Sequence, residues 1–461
     1  MQVFVAGATG VVGRRAVARL VAAGHSVTGV ARTADKAALL ASLGAGAVTV
    51  DLFDPDALRT AVTGHDAVVN LATKIPPPAL MARTSAWAEN ERIRREASGN
   101  LVDAAIAAGA SVFVQESLAF LYGEHGDAWV DAASTATTES AFSGAVAVAE
   151  ANVARFTAAG GRGVVLRYGR FYAPDSDQTR AQVQAARRGI ALDVGRRDSY
   201  APMIDADDAA TAVVAALDAP AGVYDVVDDE PLTRRDQSSA LAAAIGRRRL
   251  WLPPRFLAPR MSSFLAASQR VSNARFREAT SWRPASASLR TGYRKLVRDL
   301  GIEPALPGRV RLMLWVLVVS AFGVGMQAEF FPRSFYDDFP FGRGWVALDG
   351  RYNEHLIRDV GALNLALLVL TIGALVVGTR AIARVAAASW LVYAVPHLVY
   401  HLRHLTMNMA GSDKIGIVVS LSIPVLAALV VLLDRSRPRP PVELDVRAGA
   451  TDSPTAVSAR R

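Results

Sequence analysis

The chain has 461 residues, 51% of them hydrophobic, a formal net charge of +9 and no cysteine. This length exceeds one ordinary domain, and the absence of thiols excludes disulfides, thiolate metal sites and cysteine nucleophiles. Lysine occurs only at Lys36, Lys74, Lys295 and Lys414, so the positive charge is nearly all arginine. No basic stripe alternates with aromatic residues, and no nucleic-acid partner is expected.

Residues 2–6 read as a short buried strand, with no signal-peptide pattern before them, so no cleaved leader is expected. Gly7-Ala8-Thr9-Gly10-Val11-Val12-Gly13 follows at once and runs into a helical pattern over 14–23. A strand turning abruptly into a helix needs backbone freedom at Gly7. A pyrophosphate reaches the helix N-terminus only where no Cβ intrudes, as at Gly10. Gly13 lets the helix lie close to the strand. These seven residues are the expected phosphate cradle of a dinucleotide site. Further strands are expected at 27–31, 47–51, 67–72, 111–115 and 163–167. Helices are expected near 36–43, 56–62, 89–108 and 143–159. The alternation implies a parallel sheet with helices on both faces.

The second strand ends in Arg32, where an acidic residue would select the ribose 2′-hydroxyl. Arginine suits a 2′-phosphate, so NADP is expected over NAD. Asp51 and Leu52 close the third strand, at the place for the adenine. Leu71, Ala72 and Thr73 close the fourth, near the nicotinamide.

Gly7-x-x-Gly10-x-x-Gly13, Asn70-Leu71-Ala72, Ser117 through Tyr122-Gly123, Leu166-Arg167, Tyr172-Ala173-Pro174 and the run 204–209 together resemble the extended short-chain dehydrogenase/reductases, which include the NAD-dependent epimerase/dehydratase proteins. The strings 223–233 and 271–284 resemble that group's substrate-side portion. The resemblance spans about residues 1–298. It implies a Rossmann-type doubly wound α/β sheet with a small C-terminal substrate lobe, a bound NAD(P) and a small-molecule substrate.

The family's Tyr-x-x-x-Lys pair is absent. Register places Phe142 at the tyrosine and Val146 at the lysine. No lysine lies between Lys74 and Lys295, and no tyrosine between Tyr122 and Tyr168. Strict register puts Leu118 at the family's serine, with Ser117 one residue earlier. Lys74 and Ser117 are the substitute catalytic candidates. Tyr122, Tyr168, Tyr172 and Tyr200 offer phenols, and Arg167 or Arg170 an anion partner. Asp205 stands where the family usually shows histidine. Asp207-Asp208 is expected to cap the following helix. The proline-broken basic stretch 251–260 reads as a lid or a membrane-facing edge.

Residues 299–309 read as a linker. Apolar runs at 312–328, 360–377, 385–407 and 415–433 each suffice to cross a bilayer, predicting an all-α four-helix transmembrane domain over 310–434 and a disordered cytoplasmic tail over 435–461. Arg309, Arg311, Arg380, Arg384, Arg435, Arg437 and Arg439 fall on one side, which places both termini in the cytoplasm of a multi-pass inner-membrane protein. Along the third run Trp390, Tyr393, His397, His401, His404 and Asn408 follow helical steps. His397, His401 and His404 suit either a metal, haem or quinone site or interhelical hydrogen bonding. The function these features imply is NAD(P)-dependent hydride transfer on a sugar-like, lipid-linked or hydrophobic carbonyl or alcohol. The rival is a non-catalytic NADP(H) sensor, and a third reading routes electrons through the histidine face.

Overall fold

Short apolar runs bounded by polar turns become the strands of the amino-terminal unit. In a computed structural model, residues 1–77, 80, 83–136, 141–192, 195–251, 266–303, 305–405 and 409–435 are described. The chain divides into two compact units between Ile302 and Glu303.

The amino-terminal unit runs β1 (Gln2–Ala6), α1 (Val11–Ala22), β2 (Ser26–Val30), α2 (Ala34–Ser42), β3 (Gly46–Val48), α3 (Pro55–Val62) and β4 (Ala67–Asn70). Then come α4 (Ala88–Arg92), a π-helical turn (Ile93–Ala97), α5 (Ser98–Ala107), β5 (Val112–Leu118), β6 (Trp129–Val130), α6 (Ala141–Ala158) and β7 (Arg162–Tyr168). The substrate-side elements are β8 (Arg170–Tyr172), α7 (Asp177–Arg187), β9 (Met203–Asp205), α8 (Ala206–Ala216), β10 (Gly222–Val226), α9 (Arg234–Ala244), β11 (Arg270–Val271) and the helices Ala274–Thr280 and Leu289–Asp299. The helix expected over 89–108 is thus interrupted by a π turn. That turn carries Arg94 inward to a buried ion pair with Glu116.

Seven strands form one parallel sheet in the order β10–β7–β5–β4–β1–β2–β3. Val3, Phe4, Val5 and Ala6 of β1 are all fully buried, as a central parallel strand covered on both faces requires. On one face α1 and α8 pack Ala16, Leu20, Ala209 and Val213 against Val3, Val5 and Val114. On the other, α3, α5 and α6 set Leu58, Leu101 and Phe156 against Phe4, Val68 and Phe113. A separate core of Tyr172, Val183, Leu241, Tyr293 and Leu296 holds the substrate-side lobe together. The fold is the expected Rossmann-type sheet with a small lobe.

Among the described residues the second unit carries four helices long and apolar enough to cross a membrane: Gly308–Phe330, Glu354–Val377, Arg380–Arg403 and Gly411–Leu433. Their outward residues are apolar; Val376 is 80% and Val392 78% exposed, a surface suited to lipid rather than water. Inside, Trp390 Nε1 donates to Thr371 Oγ1 at 2.9 Å and Asn364 Nδ2 donates to the Tyr393 hydroxyl at 3.3 Å. The segment after the first of these helices packs on itself. Phe335 and Phe339 lie 4.6 Å apart, and the Tyr336 hydroxyl donates to the Gly350 carbonyl at 2.7 Å.

The third apolar helix ends at Arg403, short of the expected 407, with His404 as its C-cap. His404 therefore leaves the histidine face: its ring stacks on Tyr400 at 4.1 Å, while His397 and His401 lie 4.8 Å apart. Among the described residues no three of His, Asp or Glu are placed to hold a metal. Asn408, most of the stretch 251–260 and the expected tail beyond Arg435 lie outside the described residues.

Candidate functional site

Strand order reverses between β1 and β4, and the carboxyl ends of the strands open a crevice there. Gly7 turns the chain with φ of 75°, and a Cβ on it would stand 2.5 Å from the Leu71 backbone. On Gly13 a Cβ would lie 2.0 Å from the Gly7 carbonyl oxygen, so both positions demand glycine for packing alone. Gly10 does not. Its Cβ would meet nothing nearer than Gly7 O at 3.3 Å, and the residue is exposed.

Among the described residues, six helices of this unit begin with a capping side chain: Thr33, Asp54, Ser176, Asp205, Thr233 and Ser288 each accept a first-turn amide. Helix α1 starts at Gly10 with no side-chain cap and no acidic residue in its first turn. Open N–H groups, a positive dipole end and an exposed Gly10 suit an anion there. Ala8, Val12 and Gly13 of the same turn are buried, and Thr9 and Val11 half-buried.

The other expected cofactor residues line the same edge. Arg32 follows β2, exposed, with no hydrogen bond or ion pair among the described residues. Asp51 accepts from the Phe53 amide at 3.0 Å through Oδ1, and the Leu52 carbonyl accepts from Asn100 at 3.1 Å. The Leu71 amide donates to Ala6 O at 2.9 Å, the Ala72 amide to Asn70 Oδ1 at 3.1 Å, and Thr73 is exposed. The residues present fit a dinucleotide.

The catalytic candidates are not brought together. Lys74 is exposed on the loop after β4, its amide donating to Asn90 Oδ1 at 3.0 Å. Ser117 is fully buried, and its hydroxyl donates to Glu150 Oε1 at 2.6 Å. Two positions of the family's relay are buried and apolar: Leu118 and Val146 form one cluster with Leu121, with Phe120 and Ala136 against it. Phe142 lies in the first turn of α6, its side chain outside the described residues.

Behind this wall runs a polar chain whose Glu150 and Asp225 the motifs did not single out. Ser117, Arg167 and Asp225 stand at one level on β5, β7 and β10. Glu150 of α6 takes both the Ser117 hydroxyl and a bidentate pair from Arg167, at 2.8 and 2.7 Å. Arg167 Nη1 donates to the Tyr122 hydroxyl at 3.0 Å, and that hydroxyl donates to Asp225 Oδ1 at 2.7 Å. Burial pushes Asp225 up to about 7, with Tyr122 and Arg167 opposing. Burial, then the Asp225 charge, raises the Tyr122 phenol well above its ordinary value. Burial pulls Arg167 down, but Glu150 more than offsets this and holds it charged. Beside this chain, Arg94 Nη2 donates to both oxygens of Glu116, at 3.0 and 2.8 Å, and burial raises Glu116.

The remaining phenols are engaged elsewhere: Tyr168 donates to Ala209 O at 3.3 Å and Tyr172 to Asp228 Oδ2 at 3.4 Å. Tyr200 lies under the Arg270 guanidinium, and Arg170 Nη2 reaches Gln237 Oε1 at 3.5 Å. The expected cap is corrected. Asp205, not Asp207-Asp208, caps α8 by accepting the Asp207 amide at 2.9 Å. Asp208 is turned to the amides of Ala285 and Ser286, both at 2.8 Å, and Asp207 pairs with Arg15 and Lys295.

Comparison with known proteins agrees with this geometry. The profile of the NAD dependent epimerase/dehydratase family matches residues 3–227. A Streptomyces protein, 3-diazoavenalumate denitrifying reductase, is 32% identical over 311 residues, 63% of this chain and 99% of the relative. The Thermus thermophilus UDP-glucose 4-epimerase complex with NAD superposes with a TM-score of 0.56 at 22% identity, over 65% of this chain and 99% of that one. A human epimerase family protein with NADPH gives 0.54 at 25%, over 65% and 100%. The chain belongs to the NAD dependent epimerase/dehydratase family.

Proposed function

We propose that the protein is a membrane-anchored, NADP(H)-dependent reductase that works without the family's tyrosine–lysine proton relay. The observation that carries this reading is the pairing of an open phosphate cradle at Gly10 with an apolar cluster in which Leu118 and Val146 occupy relay positions beside Leu121. NADPH, when bound, supplies a hydride. The α1 amides hold its pyrophosphate, and the unpaired Arg32 guanidinium meets the 2′-phosphate that distinguishes NADP from NAD. The apolar wall excludes water and accommodates a hydrophobic substrate. With no phenol or ammonium at the usual place, the wall favours acceptors that need no proton from the enzyme in the hydride step. One such class is a carbon that gains hydride while a leaving group departs with its bonding pair. The relative named as a denitrifying reductase supports the reductive direction. For a hydrophobic carbonyl, Lys74 and Ser117 remain the proposed proton sources. Ser117 would have to release Glu150 first.

The four apolar helices hold this chemistry at a membrane, with both termini in the cytoplasm where the cofactor pool lies. A second reading, a non-catalytic NADP(H) sensor, draws on the same apolar cluster. The test is NADPH oxidation by the full chain in detergent against hydrophobic carbonyl and aryl diazonium compounds, beside a sugar-nucleotide ketone. Turnover with the hydrophobic compounds alone is expected. Nucleotide binding without any turnover favours the sensor, and turnover confined to the sugar nucleotide contradicts the proposal.

A further inference from the structure

The second and third apolar helices leave an open groove of about 600 Å³ between them, lined by Leu363, Leu367, Ser389, Val392, Tyr393, Pro396 and His397. Its volume falls in the range of small-molecule sites, about 300–1,000 Å³. Most of the lining is apolar, yet one side carries hydrogen-bonding groups whose capacity is not used up. The Tyr393 hydroxyl accepts from Asn364 at 3.3 Å, and its own proton has no acceptor among the described residues. The His397 ring stacks on Tyr393 at 5.3 Å and makes an edge contact with His401, but neither of its nitrogens has a hydrogen-bond partner there. Ser389 donates to Val385 O at 3.0 Å and keeps its lone pairs. Pro396, inside the helix, has no N–H to give the Val392 carbonyl four residues back. Donor and acceptor capacity thus gathers along one wall of an apolar groove at membrane depth, where unmet polar groups are costly.

No arginine or lysine lines the groove, so nothing there would hold a phosphate or carboxylate. We propose that the groove binds a neutral, lipid-soluble molecule with a hydroxyl or carbonyl head. Its chain lies along Leu363, Leu367 and Val392, and its head oxygen takes the Tyr393 proton and meets His397. A purely apolar chain would leave these groups unmet, and an anionic lipid would find no counter-charge.

The test uses the full chain in nanodiscs with two photoreactive probes, a diazirine-bearing farnesol and a diazirine-bearing phosphatidylglycerol, followed by peptide mapping. The farnesol probe is expected to label the stretch around Ser389 to His397 saturably, in competition with unlabelled farnesol. Replacing Tyr393→Phe and His397→Leu together should lower that labelling about fivefold or more. Leu367→Trp, which fills the groove and leaves its polar groups in place, should lower it as much and covers the case in which the double variant folds poorly. Equal labelling by both probes, insensitivity to Leu367→Trp, or cross-links from this stretch to a second copy of the chain would each overturn the proposal.

Discussion

Gly10 and Gly13 share one turn, yet an added methyl group would do different harm at each. At Gly13 it collides with fixed backbone 2.0 Å away, so Gly13→Ala is expected to destabilise the amino-terminal unit by about 3 kcal/mol or more, read as a lower melting temperature with or without nucleotide. On the proposed reading, Arg32 acts on selectivity alone. Because it is exposed and unpaired, Arg32→Gln should leave the melting temperature unchanged and reduce the preference for NADPH over NADH about tenfold. Asp225 gives the fold a pH dependence. Its carboxyl sits at about 7 in the folded protein, against ~3.9 for the unfolded chain. The native state therefore keeps a proton that the unfolded chain loses between those values. The contribution is complete below about pH 4 and disappears as pH rises through 7. Between pH 5 and 7.5 the wild type should lose on the order of 1–3 kcal/mol more stability than Asp225→Asn, which stays neutral throughout. Parallel pH–stability curves for the two proteins would show that the carboxyl titrates normally.

Among the elements, α8 and the segment following Trp282 depend on one carboxylate. Asp208 accepts two amides from 285–286, which leads the chain into the helix Leu289–Asp299 of the lobe core. Asp208→Ala leaves both amides without that acceptor. It should cost about 2–4 kcal/mol and expose this segment to limited proteolysis before the sheet unfolds; cleavage at the wild-type rate would refute the assignment. This scale also shows what the residues alone can convey. Six of the seven strands of the main sheet were legible as short apolar runs and β10 was not, while the glycine turn was legible because steric need and phosphate chemistry coincide there. The chain Ser117–Glu150–Arg167–Tyr122–Asp225 was not legible. It exists only through the register of β5, β7 and β10, strands far apart in sequence and set side by side by crossovers. Its local trace is Ser117, Arg167 and Asp225, each near the carboxyl end of its strand. The early end of the third apolar helix was hidden too, since the sequence past Arg403 carries no helix breaker before Gly411 while His404 already caps the helix.

For the molecule as a whole, the absence of cysteine makes the proposed topology directly testable. A single thiol introduced as Phe341→Cys, at a fully exposed position between the first two apolar helices, should react with an impermeant maleimide in intact cells. One introduced as Asp299→Cys should react only after the membrane is opened; the reverse pattern would invert the orientation. The central claim is that the turn after β1 grips a dinucleotide at Gly10, and it is tested most directly by titrating NADPH into the detergent-solubilised full chain and its Gly10→Ala variant. Saturable binding to the wild type, weakened at least about tenfold in a variant that melts at the same temperature, is the expected result. No binding to the wild type, or equal binding to both, would contradict it.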